Sequence, residues 1–293
     1  MVGVRANKAH RDERVALVFL MGSSGIFVLA MALILGFLLV NGTKLFFQDH
    51  VSPIAFLFGT EWDGFGGKYG AAPFIVGSLV ATGFAILLGG PLGVAIGLFF
   101  SELAPKRVAA AFKPAIEVLV GIPSIVYGWI GLTLLVPFLA KLTHSEGNGI
   151  FAAGLVLSIM ILPTVISLSE DALKVVPNAL REGSAALGAT RWETMSKVLI
   201  PAASSGLAVA VILGIARAIG ETLAVQLVLG NAPLIPKGLF SSASALTSEI
   251  VMEMGDAPDG SPFRHALFTM ALLLLLISMG LIVLIRLALR KRT

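Results

Sequence analysis

Cysteine is absent from this 293-residue chain, which excludes disulfides, a thiolate metal site and a thiol nucleophile. Charge is scarce. Only 13% of the residues are Asp, Glu, Lys or Arg against 57% hydrophobic, a balance foreign to a water-soluble domain and suited to lipid as the solvent. Histidine is confined to positions 10, 50, 144 and 265, all outside the apolar runs, and the chain has neither a His-Glu-x-x-His motif nor a membrane-embedded aspartate pair. These absences argue against an intramembrane protease or a lipid-modifying transferase. The alternating pattern of a membrane β-barrel is missing as well, because the apolar runs are continuous over about 20 residues or more. The expected fold class is therefore all-α, a polytopic membrane protein. Its 32 glycines and 14 prolines fit that reading, since both are commoner in membrane helices than in soluble ones. A phosphate-binding P-loop is absent too. The turn GFGGKYG at 64–70 approaches one, but Trp62 stands where the first glycine is needed and Tyr69 where a Ser or Thr would hold magnesium.

Six apolar spans are expected, at about 15–40, 72–100, 115–140, 150–168, 202–229 and 266–289, with a bend at Gly89-Gly90-Pro91. Residues 1–14, with Arg5, Lys8, Arg11 and Arg14, form a short polar segment before the first span. That span is longer than a secretory h-region and has no small-residue cleavage site after it, so it reads as retained. Residues 15–293 then form one transmembrane domain. Six spans place both termini and the loops 101–113 and 170–200 on one side. Fifteen of the 21 Lys and Arg fall there, against Lys44, Lys68, Lys141, Lys237 and Arg264 opposite, and Arg217 in the membrane. The basic side is the cytoplasmic one. The net charge of +4 is thus a topology signal, with lipid rather than nucleic acid as its partner.

Three stretches carry candidate functional residues. Arg217 and Glu221 stand four apart in the fifth span, a spacing that puts them on one helical face. They form either a self-neutralising structural ion pair or the lining of a water-accessible path, in which a guanidinium suits an oxyanion. Ser124, after Pro123, marks either a kink in the third span or a break that frees backbone groups toward a cavity. Glu117 reads as an interfacial charge. In the 170–200 loop, Pro177 and Pro201 bracket two short helical stretches. Ala185, Ala186, Leu187, Gly188 and Trp192 offer small and apolar surface there, more than a solvated loop requires, beside Arg181, Glu182, Arg191 and Glu193.

EGSAALG, from Glu182 to Gly188, followed by Ile200-Pro201, resembles the EAA loop of type I ABC importer permeases. Glu182, Gly188 and Pro201 match that pattern, while Gly183 and Ser184 replace its two alanines. Within this family, GIPSIVYG (121–128) and ARAIGETLAVQLVLGN (216–231) are similar to the PstC type of phosphate permease, and the similarity covers essentially the whole chain. The resemblance implies that the Glu182–Pro201 stretch is a coupling element seated on a separate ATPase, through Ala185, Ala186 and Gly188 above all. It implies a role for Arg217 and Glu221 in phosphate transport. The partners it implies are a second, PstA-like permease, PstB-like ABC ATPase subunits and a PstS-like extracytoplasmic phosphate-binding protein, with ATP and magnesium on the ATPase and no cofactor on this chain. The implied location is the bacterial plasma membrane, with both termini cytoplasmic. Another oxyanion, molybdate or sulfate, and a passive channel are the alternatives.

Overall fold

The computed structural model describes residues 2–290. In chain order, α1 (Val2–Phe47) and α2 (Pro53–Phe58) lead to a two-residue hairpin, β1 (Trp62–Asp63) and β2 (Lys68–Tyr69), with Trp62 opposite Tyr69. Next come α3 (Ala72–Leu98), prolonged by a π-helical turn at Phe99–Leu103, and α4 (Lys106–Gly121). Then α5 (Ser124–Ile130), a π turn (Gly131–Leu135) and α6 (Val136–Thr143) run on as one rod. The second half holds α7 (Ile150–Lys174), α8 (Asn178–Ala186), α9 (Arg191–Glu193), a π segment (Thr194–Leu199) and α10 (Ile200–Ala202). It closes with α11 (Ser204–Ile219), α12 (Leu223–Val228), α13 (Leu246–Glu253) and α14 (Pro262–Arg290).

Five described helices are long and apolar enough to cross a membrane: Leu17–Phe47, Ala72–Leu103, Ser124–Thr143, Ile150–Lys174 and Pro262–Leu287. A sixth crossing is bent, because Arg191–Ala202 and Ser204–Ile219 meet at 73°. The expected 115–140 span is divided. Pro123 lacks the N–H that would continue a helix and pushes Ile122 into extended backbone, so 115–121 belongs to α4 and the span itself is Ser124–Thr143. The 202–229 span is also interrupted, between Ile219 and Leu223. The 150–168 span continues to Lys174, since Lys113 and Lys174 each meet Glu170 at 2.7 Å and neutralise a carboxylate that is 6% exposed. The first span runs past residue 40 to Phe47.

α7 is the central post, and α3 packs along it closely because α3 presents glycine at every fourth residue. A Cβ at Gly89, Gly93 or Gly97 would lie within 2.8 Å of Ile161, Val165 or Ser169 respectively. In lipid, where apolar surface gains nothing from leaving water, such close backbone approach is what holds helices together. At one end of the molecule the 101–113 and 170–200 stretches meet, as Arg181 bonds Glu102. At the other end the hairpin, the 231–265 stretch and the α1–α2 turn meet. Trp62 Nε1–H donates to Glu253 at 2.7 Å, and His265 pairs with Asp49 at 2.7 Å.

Candidate functional site

Two interrupted helices come together in the middle of the fold. The break at Ile122-Pro123 leaves the last carbonyls of α4 without helical partners, and the Tyr127 hydroxyl donates to one of them, Leu119 O, at 2.8 Å. One helical position further on, Gly128 lies against Ala224 of α12, where an added Cβ would stand 2.7 Å from Ala224 Cα. The GIPSIVYG and ARAIGETLAV stretches therefore pack on one another. Ser124, half-buried, opens α5 one turn before Gly128 and makes no hydrogen bond to Arg217 or Glu221.

The structural Arg217–Glu221 ion pair, one of the two readings of their spacing, does not form. α11 stops at Ile219, Gly220 turns the chain, and Glu221 is carried off the helical face that Arg217 occupies. Glu221 instead folds back on α12, its Oε1 accepting the N–H of Thr222 at 3.1 Å and of Ala224 at 3.5 Å, a carboxylate capping a helix start. Its backbone carbonyl accepts the Thr247 hydroxyl of α13 at 2.8 Å. Arg217, half-buried, reaches the other way and donates from Nη1 to Thr164 Oγ1 of α7 at 3.1 Å. A guanidinium carries five N–H donors, and Thr164 uses one. The result is a cation beside two helix breaks, held in place without being neutralised by its neighbour in sequence. Thr164 was not among the expected residues. Its signal is its place after Pro163 in mid-span, where proline releases a backbone carbonyl and a hydroxyl is useful.

A second candidate surface lies at the Arg181 end. Pro177 starts α8 and Pro201 opens α10, so the bracketed stretch is two short helices, as its prolines suggest. Gly188 ends α8 at φ +78°, a conformation costly for other residues, and its N–H reaches Ala185 O at 3.0 Å while that of Ala189 reaches Ser184 O. Thr190 and Glu193 form a capping box over α9. Glu193 also accepts the Thr190 N–H at 3.1 Å and pairs with Lys197 at 3.0 Å. Arg181 moors α8 to the body of the protein. It grips Glu102 through Nη2 at 2.7 Å and Nε at 3.2 Å, and donates to Val176 O, Leu173 O and Asn178 Oδ1. Glu182, Ala185, Ala186, Gly188 and Pro201 are all exposed, Leu187 is 90% exposed and Trp192 67%. A rigidly moored pair of helices thus presents a small, apolar outer surface.

Residues 89–293 match the family of binding-protein-dependent transport system inner membrane components. The chain belongs to that family. It is a permease subunit of an ABC transporter rather than an enzyme, and the permease family works with an ATPase and a substrate-binding protein. Among its relatives, a probable ABC transporter permease protein of Bacillus subtilis, YqgH, is 48% identical over 264 residues, spanning 89% of this chain and 85% of the relative. The phosphate transport system permease protein PstC of Haemophilus influenzae is 37% identical over 257 residues, 81% of each chain. The permease fold recurs in a solved inward-facing MetNI methionine ABC transporter, at TM-score 0.55 and 19% identity over 75% of this chain and 96% of that one. It recurs also in a bacterial ABC transporter for the polysaccharide alginate, at TM-score 0.52 and 15% identity over 90% and 95%.

Proposed function

We propose that this permease carries inorganic phosphate inward, as half of the path of an ATP-driven importer. The observation that carries the reading is Arg217, a guanidinium held by Thr164 beside two broken helices and left free of Glu221, an arrangement suited to a passing oxyanion. The relatives named PstC support the choice of phosphate.

In this reading the second half of the path comes from a PstA-like permease, and Arg217, Glu221 and Ser124 line it. The exposed Glu182–Gly188 surface, with Pro201 behind it, seats on a PstB-like ATPase, where ATP and magnesium bind, and this chain needs no cofactor. A PstS-like binding protein delivers phosphate at the end that holds the hairpin and α13. The basic Arg181 end, with both termini, faces the cytoplasm in this reading, which the distribution of Lys and Arg supports. ATP must stabilise one orientation of the cavity over the other, because a substrate that binds both equally shifts nothing.

The test is uptake of labelled phosphate by proteoliposomes holding this chain with a second permease, the ATPase and the binding protein. Uptake should require ATP and resist excess molybdate or sulfate. ATP-independent flux would revive the channel alternative, and suppression by molybdate or sulfate would move the substrate to that oxyanion.

A further inference from the structure

The end opposite Arg181 buries a carboxyl group that the transport reading does not use. Glu249, in the first turn of α13, is 4% exposed and accepts the Ser244 hydroxyl at 2.8 Å. Glu253, one turn further along, adjoins it and accepts the Trp62 indole N–H at 2.7 Å. With Glu249 buried and Glu253 half-buried beside it, the two carboxylates do not readily both stay ionised.

Among the described residues, the neighbours offer no compensating cation. α3 and α12 bring no ionisable side chain to α13. From α14, Arg264 is taken by Asp259 and His265 by Asp49. From the hairpin, Lys68 is taken by Glu61, Tyr69 is neutral, and Asp63 adds negative charge, as does Asp256 beyond α13. Burial pushes Glu249 up to about 7, with Glu253 adding to the rise, and burial raises Glu253 as well.

α13 is also the piece that ties this end to the broken fifth span. Its Leu246 N–H donates to Ser78 Oγ of α3 at 2.9 Å, and Thr247 donates to Glu221 O at 2.8 Å. Contacts therefore run from Trp62 to Glu253 and its neighbour Glu249, and along α13 to the turn that holds Glu221.

We propose that Glu249 and Glu253 form a binding site for one proton, and that its occupancy sets how firmly α13 is held between the hairpin and the Glu221 turn. With the proton bound, the carboxyl pair is satisfied in place. Without it, the two carboxylates repel and draw in water, and α13 loosens. The inference depends on the fold alone and not on phosphate as substrate, so either can fail without the other.

Trp62 is the built-in probe. The full chain carries three tryptophans, and Trp129→Phe with Trp192→Phe leaves Trp62 alone. In lipid nanodiscs, its emission should titrate with a midpoint at about pH 7. Glu249→Gln should abolish that transition. Glu253→Gln, which removes the like charge, should lower the midpoint by about half a unit or more. Amide exchange across Leu246–Glu253, corrected for intrinsic rates, should accelerate above the midpoint in the parent protein and not in Glu249→Gln. Emission flat between about pH 5 and about pH 9 in the parent would overturn the proposal, whatever the variants do. So would a transition unchanged by Glu249→Gln, or, should that variant fail to fold, one unchanged by Glu253→Gln.

Discussion

Replacing Arg181 by glutamine should unmoor the exposed α8 surface while leaving the membrane helices in place. The side chain spans two parts of the chain, with two bonds to Glu102, one to the Leu173 carbonyl in the last turn of α7 and one to the Val176 carbonyl just beyond it. Arg181 is 24% exposed and Glu102 13%, so the pair is sheltered but not dry. Breaking a fully buried pair costs about 3–5 kcal/mol, and partial hydration here lowers that to roughly 2–4 kcal/mol. Local opening of α8 should then become easier by about 30-fold or more, read as faster amide exchange at 178–187. Glu102→Gln should cost less, because its amide oxygen still accepts from Arg181 and the two carbonyl bonds survive. Exchange changed less than about threefold by Arg181→Gln would refute the mooring, and equal effects of the two variants would refute the role given to the carbonyls.

Gly128→Leu should separate α5 from α12 and cost about 1–3 kcal/mol, because its Cβ would overlap Ala224; a lower detergent melting temperature and reduced transport check this. Gly188→Leu meets open space within this chain but must adopt φ +78°, so a cost of about 1–2 kcal/mol confined to the end of α8 is expected, visible as exchange at Leu187 and Ala189 and as weaker ATPase assembly. A third expectation concerns pH. Glu249 has its folded value raised to about 7, so its contribution is full below the ordinary carboxyl range and is lost as pH rises through about 7. Stability should fall by roughly 2–3 kcal/mol between about pH 5 and about pH 8, and Glu249→Gln should flatten that slope.

Pro123 was legible as a kink or a break because its effect is local: a missing donor and a restricted neighbour act in any context. The consequence was less legible, since the apolar residues 115–121 and 124–140 form one run and only the direction of the chain separates them. Likewise Pro177 and Pro201 announced the two short helices of the 170–200 stretch, whose outer surface is as open as its composition suggests. The shared helical face expected for Arg217 and Glu221 is lost because α11 ends at Ile219, before Gly220. Nothing near in sequence reveals that Glu221 caps α12 while Arg217 finds Thr164, 53 positions earlier. Glu170 and Glu249 were hidden for the same reason. Glu170 meets Lys113, a partner only the packed fold supplies, and the burial of Glu249, whose partner Ser244 is near in sequence, comes from the packing of α13.

Transport through Arg217 is tested most directly by phosphate uptake, normalised to assembled complex, in Arg217→Gln, Arg217→Lys and Arg217→Gln with Glu221→Gln. Losing one charge-assisted contact to the anion, about 1.5–3 kcal/mol, should lower uptake by roughly 10- to 100-fold in Arg217→Gln while assembly holds. Lysine keeps the charge without the planar fork and should restore part of it. Because Arg217 and Glu221 do not pair, the double variant should be no better than Arg217→Gln. Undiminished uptake per complex in Arg217→Gln, or recovery in the double variant, would contradict the assignment of Arg217 to the phosphate path.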